Sequence, residues 1–397
     1  MIRKSPLKYT ERDDQPMERS LLLFENSVKS KITFREYLKR LEKFRKFCNA
    51  DSFDSLSRIE PPKLQEMLED HIMLRKKQIN PNSIPVEFFA IKSFLEINEV
   101  ELKWRKVAKL FPAKIKKTGR RAYTTQEIQQ ILSTATELRT RAIIHFLASS
   151  GVRIGALPEL RIRHLLDMPL GCKSVCVYED TIEEYWTFIS QEAVKALNEY
   201  LNKRKSEGED INPESPVFRE WEFSSTKPVK PIGEKAIIVC MQRALRRSGI
   251  RAPENKKSGR YDTMCNHAFR KRFLTILKNT PGIMNSTAEK LVGHRVYRDE
   301  ENNIVDLDDS YNVPTLENLF GQYKTALAEL AIDNMTRVQI KELQIQKEYS
   351  ALEVEKQKHF EEKKNWYKTI LERTKTEGEI PDWLRPVMEE MIQDFES

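Results

Sequence analysis

Apolar residues recur at steps of three and four through much of this chain, and that spacing commits it to helices. Phe34, Leu38, Leu41, Phe44 and Cys48 follow the pattern, with Lys and Arg between them. Such residues share one face of an α-helix, which can then be buried. Thr33 stands where a cap for that helix is expected. Leu64, Met67, Leu68 and Ile72 repeat the spacing. After a break at Asn80-Pro81-Asn82-Ser83, a third helix carries Phe88, Phe89, Ile91, Phe94 and Leu95. Thr124 to Glu127 reads as a capping box opening a helix with Ile128, Ile131 and Leu132. Arg139 to Ser150 is a mostly apolar helix that stops at Gly151. Two short runs break the rule, SVCVY at 174–178 and YWTFI at 185–189, on either side of the charged turn 179–184. They are β-branched and aromatic, as in a small antiparallel hairpin. Glycine is scarce, 12 of 397 residues, which disfavours a β-protein with many tight turns. The expected fold is therefore mainly α with a small antiparallel β-sheet.

A chain of 397 residues allows two or three domains. Residues 1–18 are polar and read as a disordered leader. Residues 19–111 form a small helical domain. Residues 112–123, PAKIKKTGRRAY, have the composition of a basic linker. A second domain covers 124–330. From Gln322 to Glu377 there is neither Gly nor Pro, and Val338, Ile345, Leu352, His359 and Trp366 are spaced by seven. This predicts a long helix over 331–372. It is either a coiled-coil strand or a one-striped helix lying on its own or a neighbouring protomer, because the companion seam (Glu342, Tyr349, Lys356, Lys363) is polar. Residues 373–397 form a tail.

The net charge is +8, and its distribution says more than its size. Lys103 to Arg121 holds nine basic residues and no acid, and Arg243 to Arg260 holds seven against one. Stretches this dense suit a polyanion. No run of about 18 apolar residues exists, so no membrane partner is expected. The first residues lack the apolar core of a signal peptide. The five cysteines are odd in number and scattered, which suits a reducing cytoplasm. They show no zinc-ligand spacing, so no metal site is expected.

Three spots in the second domain carry chemistry. Gly151-Val152-Arg153 sets an arginine just past an apolar helix. His267 and Arg270, at i and i+3, share one helix face. Leu291-Val292-Gly293-His294 comes next, and then Asp309-Ser310-Tyr311-Asn312-Val313-Pro314. Each is weak alone, but the order is specific. It resembles the tyrosine recombinase, or phage integrase, family, and the Asp-Ser-Tyr-x-x-Pro pattern is closest to archaeal members. The resemblance covers most of the chain, with 19–111 as the helical core-binding domain and 124–330 as the catalytic domain. Residues 331–397 lie outside it.

The resemblance implies a site-specific DNA recombinase that cuts and rejoins DNA through a 3′-phosphotyrosyl intermediate, without ATP, metal or other cofactor. Tyr311 would be the nucleophile, because a phosphotyrosyl ester keeps the bond energy for rejoining. Arg153 and Arg270 would grip the phosphate, His267 would move a proton and His294 would bind a non-bridging oxygen. Lys114, Lys116, Lys117, Arg120 and Arg121 would lie along the DNA backbone. The partner would be double-stranded DNA, with four protomers on two duplexes. The expected setting is the cytoplasm, at the nucleoid, in a prokaryote, virus or mobile element. Three departures stand against the pattern. Ala156 replaces a usual acid, the turn 179–184 has no lysine, and Tyr311 is 17 residues after His294, about twice the usual gap. They leave two alternatives, a catalytically inactive or regulatory DNA-binding protein on the same fold, or a type IB-like topoisomerase. A scaffold built on the long helix, its basic stretches incidental, is the reading from a different class.

Overall fold

The computed structural model describes residues 18–115, 121–224, 227–257, 260–294, 314–377, 382–383 and 385–387. The chain divides into two compact units, Met1–Lys117 and Thr118–Ser397.

The first unit is helical: α1 (Arg19–Ser27), α2 (Lys31–Phe47), α3 (Phe53–Ser57), α4 (Pro61–Gln78), α5 (Ile84–Ile97) and α6 (Trp104–Lys109). Their apolar faces meet in one core that includes Phe24, Leu41, Phe44, Leu68, Ile91 and Phe94. Phe24 and Phe94 pack edge to face at 5.6 Å, a favoured ring geometry. The cap of α2 is Ser30 rather than Thr33, since the Ser30 hydroxyl accepts from the Thr33 amide at 3.4 Å. Thr33 lies inside the first turn. Phe89, one of the apolar residues of the predicted third helix, is 56% exposed. It follows the buried Phe88 and so points about 100° away around α5. Of the expected leader, Glu18 is described; its carboxylate accepts from the Asp54 amide at 2.8 Å. The rest lies outside the described residues.

A buried charge cluster links α4 to α5. The Arg75 fork donates to both Glu87 oxygens at 2.6 and 2.8 Å, and His71 Nε2 lies 3.6 Å from Oε1. Burial alone would push the Glu87 carboxyl up, but His71 and Arg75 overcome this and hold it at about 2.

In the second unit, Thr124 caps α7 (Thr125–Thr134) in a capping box with Glu127, as the sequence predicts. Helix α8 (Leu138–Ser150) is buried along most of its length and anchors the main core. Strands β1 (Leu165–Met168), β2 (Cys172–Val177) and β3 (Tyr185–Ile189) form an antiparallel sheet in the order β1-β2-β3. The predicted hairpin is β2–β3, registered by Val177 opposite Tyr185. Strand β1 is an addition. Four residues, two of them exposed, give too little alternation to read. Helices α9 (Gln191–Ser206), α10 (Glu234–Arg247), α11 (His267–Asn279), α12 (Asn285–Leu291), α13 (Leu316–Tyr323) and α14 (Leu327–Leu330) follow. A second core joins β3 to α11–α14 through Phe188, Phe273, Leu291, Phe320 and Tyr323. The chain is thus mainly α with a small antiparallel sheet.

The last helix, α15 (Asn334–Glu377), has 44 residues and runs past the predicted end at 372. Asp333 accepts from the Thr336 amide at 2.8 Å at its start. Ile340 packs on the second core, but Val338, Ile345, Leu352 and Trp366 are about half exposed or more. The stripe is therefore not laid on the described residues of its own chain. Trp383 in the expected tail is exposed. No helix among the described residues is long and apolar enough to cross a membrane.

The Glu87 carboxyl is lowered in the folded state, so its stabilising effect is complete above its ordinary value of 4.5 and is lost as pH falls towards 2. Glu87→Gln is expected to be less stable than wild type by about 2–3 kcal/mol above pH 5, with the difference shrinking in acid. Urea unfolding followed at several pH values checks this.

Candidate active site

Three chain turns converge on one place. The first ends α8. Gly151 takes φ +61°, a left-handed conformation that glycine adopts without strain. A Cβ there would come within 2.4 Å of the Phe273 ring. This tight turn throws Arg153 to the surface, ahead of a short 3-10 turn at Ile154–Ala156. Ala156 is itself packed in the main core.

The second turn starts α11, where His267 is the first residue and Arg270 lies one turn on. Arg270 is buried. Its guanidinium donates to the Gly151 carbonyl at 2.8 Å and also to the Val292 carbonyl. The third turn ends α12. Gly293 has φ +60°, and a Cβ there would meet the Tyr185 ring at 2.4 Å. Its carbonyl accepts from Arg153 at 3.3 Å. The two arginines thus bind the adjacent carbonyls of residues 292 and 293. His294 follows. Its amide donates to the Glu289 carbonyl at 3.0 Å, and its Nδ1 bonds the Glu289 carboxylate. Glu289 also pairs with Lys278.

The charges report the same crowding. Burial and the nearby Arg153 charge together lower Arg270 from its ordinary value. Burial lowers His267 as well, and Arg270, Lys271, His294 and Arg153 add to it. Among the described residues, neither Arg153 nor Arg270 has a carboxylate partner within ion-pair distance. Two cations close together without such a partner make a place for an anion.

Arg153, His267, Arg270 and His294 are therefore brought together, while Tyr311 lies outside the described residues. Tyr297 does too. Two other tyrosines are committed elsewhere. Buried Tyr323 donates to the Ser149 carbonyl at 3.0 Å, and Tyr261 donates to the Arg251 carbonyl at 3.1 Å. Of the expected DNA contacts, Lys114 is exposed. Arg121 forks onto Glu127 at 2.6 and 2.7 Å, which offsets much of its charge. Lys116, Lys117 and Arg120 lie outside the described residues. Lys173 pairs with Asp167 at 2.5 Å, at the opposite end of the β2–β3 ladder from Tyr185.

The sequence reading missed Tyr185 and Glu289. The Tyr185 ring forms the floor beneath Gly293. Its buried hydroxyl lies beside Arg270 but outside hydrogen-bonding geometry. Burial raises the phenol, and the charges of Arg270 and Arg153 oppose that rise. No sequence signal marks it. Glu289 is five residues before His294, a spacing that no helical rule picks out. The described residues hold no group of three or more potential metal ligands. A groove of about 670 Å³ lies elsewhere, lined by Cys172, Glu192, Pro281, Leu327 and Ile340, and contains none of these site residues.

Residues 121–299 match the model of the phage integrase family. The matched stretch lies within the second unit and contains Arg153, His267, Arg270 and His294. Tyrosine recombinase XerC of Leptospira interrogans serogroup Icterohaemorrhagiae serovar copenhageni is 24% identical over 306 residues, covering 73% of this chain and 89% of its own length. Among solved structures, XerA recombinase is 20% identical, covering 77% of this chain and 96% of its own, with a TM-score of 0.36. A lambda integrase dimer bound to a COC′ core site is also 20% identical, covering 70% and 93%, with a TM-score of 0.47.

The second unit depends on Gly151 for two separate reasons, which two substitutions resolve. Gly208 also has positive φ, but a Cβ there meets nothing within 4 Å. Both Gly151→Ala and Gly208→Ala carry the backbone strain, about 1 kcal/mol. Gly151→Ala adds the Phe273 clash and should unfold at clearly lower urea than Gly208→Ala.

Proposed function

We propose that this chain is a site-specific DNA recombinase or integrase that cuts and rejoins double-stranded DNA by transesterification. The observation that carries the reading is the pair Arg153 and Arg270, without a carboxylate partner among the described residues and flanked by His267 and His294.

The chemistry follows from those groups. A scissile phosphate between the two guanidiniums has its non-bridging oxygens gripped by planar donors. The same donors gain strength as charge builds on the pentavalent phosphorus. His267, kept neutral at pH 7 by its surroundings, is able to accept the proton of the attacking hydroxyl. His294 supplies a further donor to the phosphate. The Tyr311 phenol oxygen forms a bond to phosphorus as the bond to the 5′-oxygen breaks, and the leaving oxygen takes up a proton from water while His267 returns the phenol's proton to solvent. The product is a 3′-phosphotyrosine with a free 5′-hydroxyl, and the reverse step rejoins a strand. Lys114 and the 116–121 segment bind the DNA backbone. Four protomers act on two duplexes, at the nucleoid.

A duplex nicked beside the cleavage point loses its 5′ fragment on cutting and traps the covalent adduct. Tyr311→Phe is expected to abolish the adduct and keep DNA binding, read by denaturing gel and mobility shift. An adduct in that variant rejects Tyr311 as nucleophile. His267 sits below its ordinary value of 6.5, so the acid limb of the wild-type cleavage rate should have its midpoint below pH 6.5.

Ala156 and the lysine-free turn 179–184 favour a second reading, a DNA-binding protein without cleavage. Binding with no adduct on any nicked duplex of a randomised library supports it.

A further inference from the structure

The His294 ring is held at two points by a single residue. Its Nδ1 bonds Glu289 Oε2, and its backbone amide donates to the Glu289 carbonyl at 3.0 Å. The other carboxylate oxygen, Oε1, is taken by Lys278 from α11. Burial raises the Glu289 carboxyl, but Lys278 and His294 outweigh it, so the group is an ionised acceptor. On the other side, Gly293 is pressed onto the Tyr185 ring, which fixes the turn that carries His294.

We propose that Glu289 is a positioning residue for strand cleavage, setting the protonation pattern of His294 so that Nε2 is the atom offered to the scissile phosphate. This rests on the recombinase reading above. A carboxylate accepts and does not donate, so Nδ1 must carry a proton to bond it. A neutral ring then has a bare Nε2, which repels a phosphate oxygen. A ring that donates to the phosphate from Nε2 carries both protons and is an imidazolium. Glu289 thereby orients His294 as a third donor beside Arg153 and Arg270, in a chain whose β2–β3 turn holds no lysine. Lys278 restrains the carboxylate so that it does not swing away. Outer partners of this kind fix ring tautomer and orientation elsewhere in proteins.

The test has two readouts on the full-length protein. The first is the ¹⁵N spectrum of the imidazoles at pH 8, where His294 is one of six histidines and is assigned with His294→Gln. Wild type should show a His294 signal protonated at Nδ1, and Glu289→Ala should return it to the Nε2–H form. The second is single-turnover cleavage of a nicked duplex. Glu289→Ala should be slower by roughly 10- to 100-fold with unchanged DNA affinity. Glu289→Gln, whose amide oxygen still accepts from Nδ1 but carries no charge, should fall between wild type and Glu289→Ala. An Nε2–H tautomer in wild type, or wild-type cleavage by Glu289→Ala, overturns the proposal. If wild type forms no adduct at all, the recombinase reading fails, and the spectrum still decides the role of Glu289. If Glu289→Ala does not fold, the wild-type spectrum and the Glu289→Gln rate decide it.

Discussion

The second unit is organised around a buried guanidinium. Arg270 sits in the interior and is met there by the carbonyls of Gly151 and Val292. Burying a charge costs several kcal/mol, and neutral carbonyls offset only part of it. The remainder favours an anion at the exposed end of the cluster. The same two bonds tie the end of α8 to the end of α12 across α11. One side chain therefore closes the fold and creates its electrostatic demand. Gly151 and Gly293 are the backbone's answer to that closure, since each lies against an aromatic ring with no room for a Cβ.

Much of this was legible in the sequence, and for identifiable reasons. Helices with strong periodicity, such as the one carrying Phe34, Leu41 and Phe44, were readable because spacing alone sets their buried face. The Thr124–Glu127 box was readable because both partners are local. Arg153, His267, Arg270 and His294 were readable from their order along the chain, and the fold gathers them. What escaped depends on contacts between distant segments. Strand β1 is held by pairing rather than by its own pattern. Tyr185 matters through a ring contact with a glycine more than a hundred residues away. The cap of α2 was misplaced because Ser30 and Thr33 are both good cap formers, and backbone geometry decides between them.

Two of the three departures noted in the sequence have local explanations. Position 156 is occupied by a small apolar residue that fills the main core, where an acid would need its own buried partner. Lys173 is spent on Asp167 at the far end of the sheet. The positive charge of the Arg153–Arg270 cluster is thus supplied by the α8 and α12 ends and by α11, not by the hairpin. That places the electrostatic work on helix termini locked by tertiary bonds, a stiffer support than an exposed β-turn.

At 1.5 Å per residue, α15 is about 66 Å long. Its root is bolted down by Arg337 on the Ala331 carbonyl at 2.8 Å and by the Lys341–Glu329 pair at 2.9 Å. Trp366 lies 25 residues beyond Lys341, roughly 40 Å along the axis. Such a spar separates two tasks on one polypeptide. Anything that bound its distal stripe would be kept at arm's length from the Arg153–Arg270 cluster, so the two surfaces can be occupied without competing for room.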